Sequence, residues 1–196
     1  MLDAMIELFT QGNLDPTPEQ VAALAGVSGR TVYRYFEDRS ELVRAAIARH
    51  FERIAPLAEV PHLGEGTLEQ RVDRLVATRV RLFDAVAAAF RAATTKAATD
   101  RTIADRLALT RDALAHQVEV QFQPELDALG EHERTTLASA VELLVSLTSL
   151  DGLRRTRELS AEQTAAVLTD ALLALLGRPA TSAGPPTSPT TTTTEH

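Results

Sequence analysis

Apolar residues recur along the chain at helical spacing, in segments that proline, glycine and capping residues separate. The first segment ends near Gln11, and Gly12 follows at the place where a left-handed residue ends many helices. Its apolar positions lie one turn apart: Leu2, Met5, Ile6 and Phe9. No segment alternates apolar and polar residues over the length of a strand. The pattern therefore predicts an all-α protein.

Two short helices follow, with a tight turn between them. Thr17 and Gln20 have the spacing of a capping box, and Pro18 suits the first helical position. Gly26 ends this helix, and Ser28 can cap the next one. Two such helices joined by a glycine-containing turn form a helix-turn-helix.

A fourth helix is predicted from a second capping box, Asp38 with Glu41, to a stop near Pro56. Prolines and glycines over 57–66 indicate a linker. Longer helices follow at about 67–96, 100–122, 131–157 and 160–177. We therefore predict a helix-turn-helix domain at 1–56, a linker at 57–66, a larger helical domain at 67–177 and a disordered, Pro- and Thr-rich tail at 178–196.

Composition narrows the class of protein. Acidic residues outnumber basic ones by 27 to 20, so the net charge of −7 does not indicate a nucleic-acid-binding protein. There is no cysteine, which excludes disulfides and thiolate metal sites. The apolar start is short and acidic, unlike a signal peptide, and no apolar run approaches the roughly 20 residues of a membrane span. We expect a cytoplasmic protein.

The second helix of the helix-turn-helix differs from the rest of the chain in charge. Between Gly29 and Ala55 there are six arginines and four acids, so this region is locally positive. Val32 and Phe36 lie on one face of the helix, which leaves Arg30 and Arg34 one turn apart on the other. This face suits the major groove of DNA.

Each candidate on that face has a chemical role. Arg30 suits guanine O6 and N7, and the methyl group of Thr31 suits a thymine methyl. Gly29 leaves the helix N-terminus open to a phosphate, and the tyrosine hydroxyls can donate to phosphate oxygens. The alternative is that the tyrosines serve ordinary helix packing and that the arginines lie on a solvated helix face. The candidate DNA-binding residues are Thr17, Ser28, Gly29, Arg30, Thr31, Tyr33, Arg34, Tyr35 and Arg39.

The same stretch resembles the DNA-binding domain of TetR-type transcriptional regulators over about residues 1–55. The matching positions are Thr17, Val21-Ala22, Ala25-Gly26-Val27-Ser28, Thr31-Val32-Tyr33 and Tyr35-Phe36. The resemblance implies a DNA-binding regulator with a divergent effector-binding and dimerisation domain. Repression of a palindromic operator, relieved by a small-molecule effector, is the outcome that the family favours.

The sequence departs from the family pattern in two ways. Arg30 takes the place of a frequent glycine, which suggests a side chain that reads bases. Family members usually have several residues, often basic, before the position of Leu2. Either the protein starts upstream of Met1 or it lacks this arm, and the loss of its phosphate contacts would weaken DNA binding.

The last two predicted helices are too apolar to bury only one face. Between Leu137 and Leu150 the sole charge is Glu142, and between Ala161 and Leu176 the charges are Glu162 and Asp170. We predict a homodimer formed by these helices, although they could instead be the central core helices of a monomer. The candidate interface residues are Val141, Leu144, Val145, Thr148, Leu168, Leu172 and Leu175.

A ligand cavity is predicted between about 75 and 122, where apolar residues mix with a few polar ones. This composition predicts an apolar or amphipathic effector. Most of these residues could instead be plain core, and His116 could be a surface residue. The candidate effector-binding residues are Arg79, Phe83, Val86, Phe90, His116 and Gln117.

No catalytic motif is present: His132-Glu133 lacks the second histidine of a zinc protease, and Gly64-Glu65-Gly66 is too short for a phosphate loop. We therefore expect no enzyme, cofactor or metal. We expect a ligand-responsive DNA-binding regulator that acts as a dimer. The alternative is a dimeric helical protein that binds small molecules and has weak or lost DNA binding.

Overall fold

The computed structural model describes residues 1–177, and the predicted disordered tail at 178–196 lies outside them. Ten α-helices and no strand occur within this described part, so the predicted all-α class is confirmed. The helices are α1 (Leu2–Thr10), α2 (Pro18–Ala25), α3 (Gly29–Tyr35), α4 (Arg39–Ile54), α5 (Leu68–Ala97), α6 (Arg101–Gln121), α7 (Gln123–Asp127), α8 (Glu131–Leu144), α9 (Leu147–Asp151) and α10 (Ala161–Leu176). A 3-10 helix (Ala55–Ala58) follows α4, and a π-helix (Gly152–Thr156) follows α9.

The predicted caps bound several of these helices. Thr17 and Gln20 form a reciprocal capping box at the start of α2, and Ser160 and Gln163 form another at α10. Gly26 ends α2 with φ of 67°, a left-handed conformation that favours glycine. Local sequence is therefore sufficient to set these helix ends.

The predicted second capping box is only half formed. Asp38 accepts a hydrogen bond from the N–H of Glu41 at 2.7 Å. Glu41, however, accepts from the N–H of Glu37 at 2.6 Å instead of reaching back to Asp38. The prediction of a reciprocal box is wrong because a neighbouring free N–H is available to the glutamate.

The helix predicted over 131–157 is interrupted. Helix α8 ends at Leu144, and Ser146 caps α9 by accepting from the N–H of Ser149 at 3.1 Å. Ser146 Oγ also donates to the carbonyl of Leu143 at 2.9 Å. Serine side chains compete in this way with helical backbone hydrogen bonds, which explains the break.

Helix α5 is the central element of the larger helical part. It packs against α6, α9 and α10, and against α1 and α4 of the N-terminal part. Its buried residues occur at helical spacing and include Val72, Leu75 and Leu82. The 30-residue α5 therefore joins the two parts of the molecule through packed side chains.

A buried polar network fixes the segment before α5. Arg71 pairs with Glu125 and also donates to the carbonyl of Gln121 at 2.9 Å. The Gln121 amide donates to the Arg71 carbonyl at 2.6 Å and accepts from the N–H of Gly64 at 2.8 Å. These bonds hold α5, α6, α7 and the preceding segment in one arrangement.

Within residues 1–177, no single helix combines the length and apolarity needed to span a membrane. Only a bent pair, Glu131–Leu144 with Leu147–Thr156, reaches that length and composition.

Candidate functional site

Helices α2 and α3 form the predicted helix-turn-helix. Val21 of α2 and Val32 of α3 are fully buried, and Ala22 of α2 is buried as well. Ser28 caps α3 by accepting from the N–H of Thr31 at 3.1 Å. The small residues of α2 allow the two helices to pack closely, so one face of α3 is left to solvent.

That solvent face carries basic and phenolic groups. Arg30 and Arg34 are exposed, and the exposed fractions of Tyr33 and Tyr35 are 52% and 60%. The Arg34 guanidinium lies 5.0 Å from the centre of the Tyr35 ring, a cation–π contact that orients both side chains. The predicted base-reading and phosphate-binding side chains therefore occupy one exposed face.

Tyr33 has a second contact that the sequence did not predict. Its hydroxyl donates a hydrogen bond to Oε1 of Glu19 on α2 at 3.2 Å. This bond raises the pKa of Tyr33. The pKa of Glu19 is lowered, first by its own backbone N–H and then by Thr17 and Tyr33. Tyr33 thus also links the two helices of the motif.

The small predicted residues are placed at helix starts. Thr17 and Ser28 use their hydroxyls as caps, and Ser28 Oγ lies 2.9 Å from the hydroxyl of Thr31. A Cβ added at Gly29 would meet no atom within 4 Å, so space at the start of α3 is open. A phosphate contact by these residues stays a prediction.

Arg39 contacts the protein itself. Its Nε donates to the carbonyl of Pro16 at 2.7 Å, and its guanidinium pairs with Asp15. Lys96, near the end of α5, pairs with the same carboxylate at 2.5 Å. The bonds from Arg39 and Lys96 lower the pKa of Asp15 to about 2. Arg39 therefore fixes the approach to α2, and its predicted phosphate contact would have to share this cation with Asp15.

A cavity of about 650 Å³ lies between α5, α6, α8 and the segment that starts α9. Its volume is in the range of small-molecule sites. Its lining is mainly apolar, with several hydroxyl and charged groups: Arg79, Phe90, Thr94, Leu107, Thr110, Arg111, Leu114, Ser139, Glu142, Leu143, Val145, Ser146, Leu147 and Thr148.

The structure brings some of the predicted effector residues to this cavity. Arg79 and Phe90 line it, whereas Phe83 and Val86 are buried in the core outside the lining. Gln117 lies behind the cavity, where it accepts from Arg79 at 2.8 Å and donates to the Ala58 carbonyl at 3.1 Å. His116 is exposed, and its Nδ1 lies 3.9 Å from Oε2 of Glu119. This agrees with the alternative that His116 is a surface residue.

Thr110 and Arg111 also line the cavity and were not singled out from the sequence. They lie on α6 within one turn of Leu107 and Leu114, two apolar residues of the predicted cavity segment, so helical spacing is a signal that could have found them. The α8–α9 residues carry no such signal, because their approach depends on the helix break at Ser146.

The predicted dimer residues occupy three environments. Val141, Val145, Leu168 and Leu172 are buried in the core of the protomer. Leu144 and Leu175 are half-buried, and Thr148 is exposed. Val145 and Thr148 also line the cavity. The core already covers four of these side chains, so the exposed apolar surface of α8 and α10 lies on neighbouring positions, chiefly Leu143 and Val167.

Comparisons with known proteins agree with this architecture. Residues 1–46 match the family of bacterial regulatory proteins, tetR family. Similar structures include a transcriptional regulator from Rhodococcus sp. Rha1, with a TM-score of 0.69, 19% identity, and coverage of 90% of this chain and 94% of that one. A candidate TetR-family transcriptional regulator from Rhodococcus sp. has a TM-score of 0.65 and 19% identity, with 89% and 98% covered.

A TetR-like transcriptional regulator from Rhodococcus sp. RHA1 is also similar, with a TM-score of 0.60 and 18% identity over 90% of this chain and 94% of that one. Among the curated proteins no sequence match was found. At these identities the structures establish the fold, while the sequence match lies in the helix-turn-helix domain. Residues 1–46 therefore match the tetR family of bacterial regulatory proteins, and the chain as a whole shares the fold of these similar structures.

Proposed function

We propose that the protein is a cytoplasmic, ligand-responsive regulator that binds a palindromic operator as a homodimer, represses transcription and is released by a small-molecule effector. The observation that carries this proposal is the coexistence of an exposed basic face on α3 and a large apolar cavity in the same molecule. A protein that only bound small molecules would have no need of the first feature.

DNA binding is supported by the chemistry of the α3 face. Arg30 is exposed near the N-terminal end of α3, where side chains of a recognition helix contact base edges. Tyr33, Arg34 and Tyr35 supply donors and a cation for phosphates. The Tyr33–Glu19 bond would have to open for the Tyr33 hydroxyl to donate to DNA.

Dimerisation is supported by the outer faces of α8 and α10. These helices pack against each other, and each leaves a large apolar side chain exposed: Val167 at 45%, and Leu143 at 67%, which also borders the cavity. The outer stripe of α10 also has Ala166 and Ala174, with Asp170 as its charged member. A two-fold dimer would place two recognition helices about one turn of DNA apart, roughly 34–36 Å.

Communication between cavity and DNA-binding domain is supported by contacts that join them. Asp15, in the segment before α2, pairs with Lys96 at the end of α5, the helix that contributes Arg79 and Phe90 to the cavity. A ligand that shifts α5 or α6 would therefore change the support of the helix-turn-helix. Such a shift requires that the ligand bind one arrangement more tightly than the other.

The test is a gel-shift titration of the full chain with DNA fragments that flank its own gene, at two salt concentrations. A regulator is expected to shift at least one fragment specifically, with an affinity that falls steeply as salt rises. If neither this chain nor a version extended upstream of Met1 binds any fragment at low salt, the protein would be the dimeric small-molecule-binding alternative.

A further inference from the structure

The cavity is lined by a buried guanidinium that no carboxylate of the described residues 1–177 neutralises. Arg79 is 0% exposed. Its Nη1 donates to Gln117 Oε1 at 2.8 Å and its Nη2 to the carbonyl of Leu114 at 2.9 Å, while its Nε has no partner. Both acceptors are neutral. Among residues 1–177, no carboxylate oxygen lies within the 4.0 Å of an ion pair with Arg79.

Arg71 provides an internal comparison on the same helix. It is also buried, but it pairs with Glu125 through both terminal nitrogens. Buried charges in proteins are normally paired, because removing a lone charge from water is costly. Arg79 departs from this rule, and of the two arginines it is the one that lines the cavity.

The charge of Arg79 persists at neutral pH. Burial lowers the pKa of its guanidinium to about 10, which leaves the group protonated at pH 7. A guanidinium has five N–H groups, and two of them are used here by neutral oxygens. The group therefore retains both its positive charge and unused donors.

The rest of the lining suits an apolar body with one negative end. Phe90, Leu107 and Leu147 supply apolar surface. Arg111, which is exposed, adds a second positive charge to the lining, and Glu142 adds one negative charge without an ion pair to either arginine. Two arginines and one glutamate leave the lining with a net charge of +1.

We propose that the effector is an amphipathic carboxylic acid, whose carboxylate neutralises Arg79 while its apolar body packs against Phe90, Leu107 and Leu147. This inference rests on the ligand-responsive part of the proposed function and names the class of that ligand. Charge-assisted hydrogen bonds to a carboxylate are what an arginine forms most favourably, and a site that excludes water strengthens them.

The test compares three probes of equal chain length, decanoate, decan-1-ol and decylammonium, by calorimetric titration of the full wild-type chain at pH 7.5. We expect decanoate to bind roughly tenfold or more tightly than decan-1-ol, and decylammonium to bind most weakly. Equal binding of decanoate and decan-1-ol, or a preference for the amine, would overturn the proposal and assign Arg79 to protein structure alone.

Variants then identify which arginine binds the carboxylate. Arg79→Met is expected to abolish the preference for decanoate and leave decan-1-ol affinity within about threefold, while Arg79→Lys keeps part of the preference. Arg111→Met, at the exposed edge of the cavity, is the matched control and should keep most of it. Loss of the preference in Arg111→Met but not in Arg79→Met would contradict the assignment. Should Arg79→Met fail to fold, the wild-type probe series decides.

DNA binding is measured on the same preparation, so the two proposals fail separately. If no probe binds while the operator fragment is shifted, the acid proposal is wrong and the DNA-binding regulator stands. If decanoate binds with the expected preference but no DNA is shifted, the ligand class stands and the regulatory function is wrong.

Discussion

Arg44, on the last helix of the DNA-binding domain, donates a hydrogen bond from Nη1 to Oδ2 of Asp100 at 3.0 Å. The other oxygen of the same carboxylate accepts from the N–H of Ile103 at 3.2 Å and so caps α6. One side chain therefore fixes the start of a cavity-lining helix and holds that helix against the DNA-binding domain.

Asp100→Ala should destabilise the protein more than Arg44→Met does. The alanine variant removes both the cap of α6 and the contact with α4, and the loss of a cap alone costs about 0.5–2 kcal/mol. Arg44→Met leaves the cap and removes a half-exposed ion pair, which is worth about 0–1 kcal/mol. Urea unfolding of the two variants measures both values. Equal losses would show that the cap contributes nothing beyond the ion pair.

Stability is expected to fall as the pH drops below 4. The pKa of Asp15 is about 2, against an ordinary 3.8, chiefly through the bonds from Arg39 and Lys96. Burial raises the pKa of Asp100, but the bonds from Arg44 and from the N–H of Ile103 outweigh it and the net pKa is lowered. A carboxyl group whose pKa is lower in the folded state stabilises the folded protein. This contribution is fully present when the pH is above the unfolded-state pKa of 3.8, and it is lost as the pH falls through the folded-state pKa.

The pH effect can be assigned to these two groups. Urea unfolding at several pH values between roughly 2 and 5 gives the slope of the unfolding free energy against pH. The double variant Asp15→Asn with Asp100→Asn should show a shallower slope than the wild type, whereas Asp112→Asn, an exposed carboxylate with no ion pair among residues 1–177, should not. An unchanged slope in the double variant would contradict the assignment.

Arg30 and Tyr33 are expected to affect DNA binding in different ways. Arg30→Ala should cost about 1–3 kcal/mol on the preferred operator and relax the preference at particular base pairs. Tyr33→Phe removes a hydroxyl that can donate to phosphate, so it should weaken binding to specific and random DNA alike. Fluorescence anisotropy with operator and scrambled duplexes separates the two patterns, and equal losses on both duplexes for Arg30→Ala would count against base reading.

The proposed dimer predicts a response to charge on the outer faces of α8 and α10. Val167→Glu is expected to dissociate the dimer, because it places a carboxylate in an apolar contact. Leu109→Glu is the matched control, since Leu109 is 66% exposed on α6, outside the proposed interface. Sedimentation velocity at micromolar concentration gives the oligomeric state. A wild-type monomer would rule out the interface, and dissociation by Leu109→Glu alone would move it to α6.

The ends of most helices could be predicted because local side chains set them. The Thr17–Gln20 box, the left-handed Gly26 and the Ser160–Gln163 box all act within four residues of the backbone that they cap. The break at Ser146 was missed, since an apolar segment of the same composition can continue as a helix. Whether the helix breaks depends on whether the Ser146 hydroxyl replaces the next helical backbone hydrogen bond, and the tertiary structure determines that.

The exposed basic face of α3 was predictable for a similar reason: α3 is short, and its spacing separates the buried Val32 from the exposed Arg30 and Tyr33. The partners of these side chains were not. Glu19 contacts Tyr33 from another helix, and Asp15 joins Arg39 to Lys96, a residue 81 positions further along the chain.

By itself, the sequence determined the helical class, the helix-turn-helix and its charged face, because helical periodicity and capping act over a few residues. The tertiary structure alone decided which core residues border empty space. Phe83 and Phe90 lie on the same helix, yet Phe83 is core and Phe90 lines the cavity. Within residues 1–177 it also decided that Arg71 has a carboxylate partner, Glu125, whereas Arg79 has none, since the counter-charge comes from another helix and depends on how α5, α6 and α7 pack.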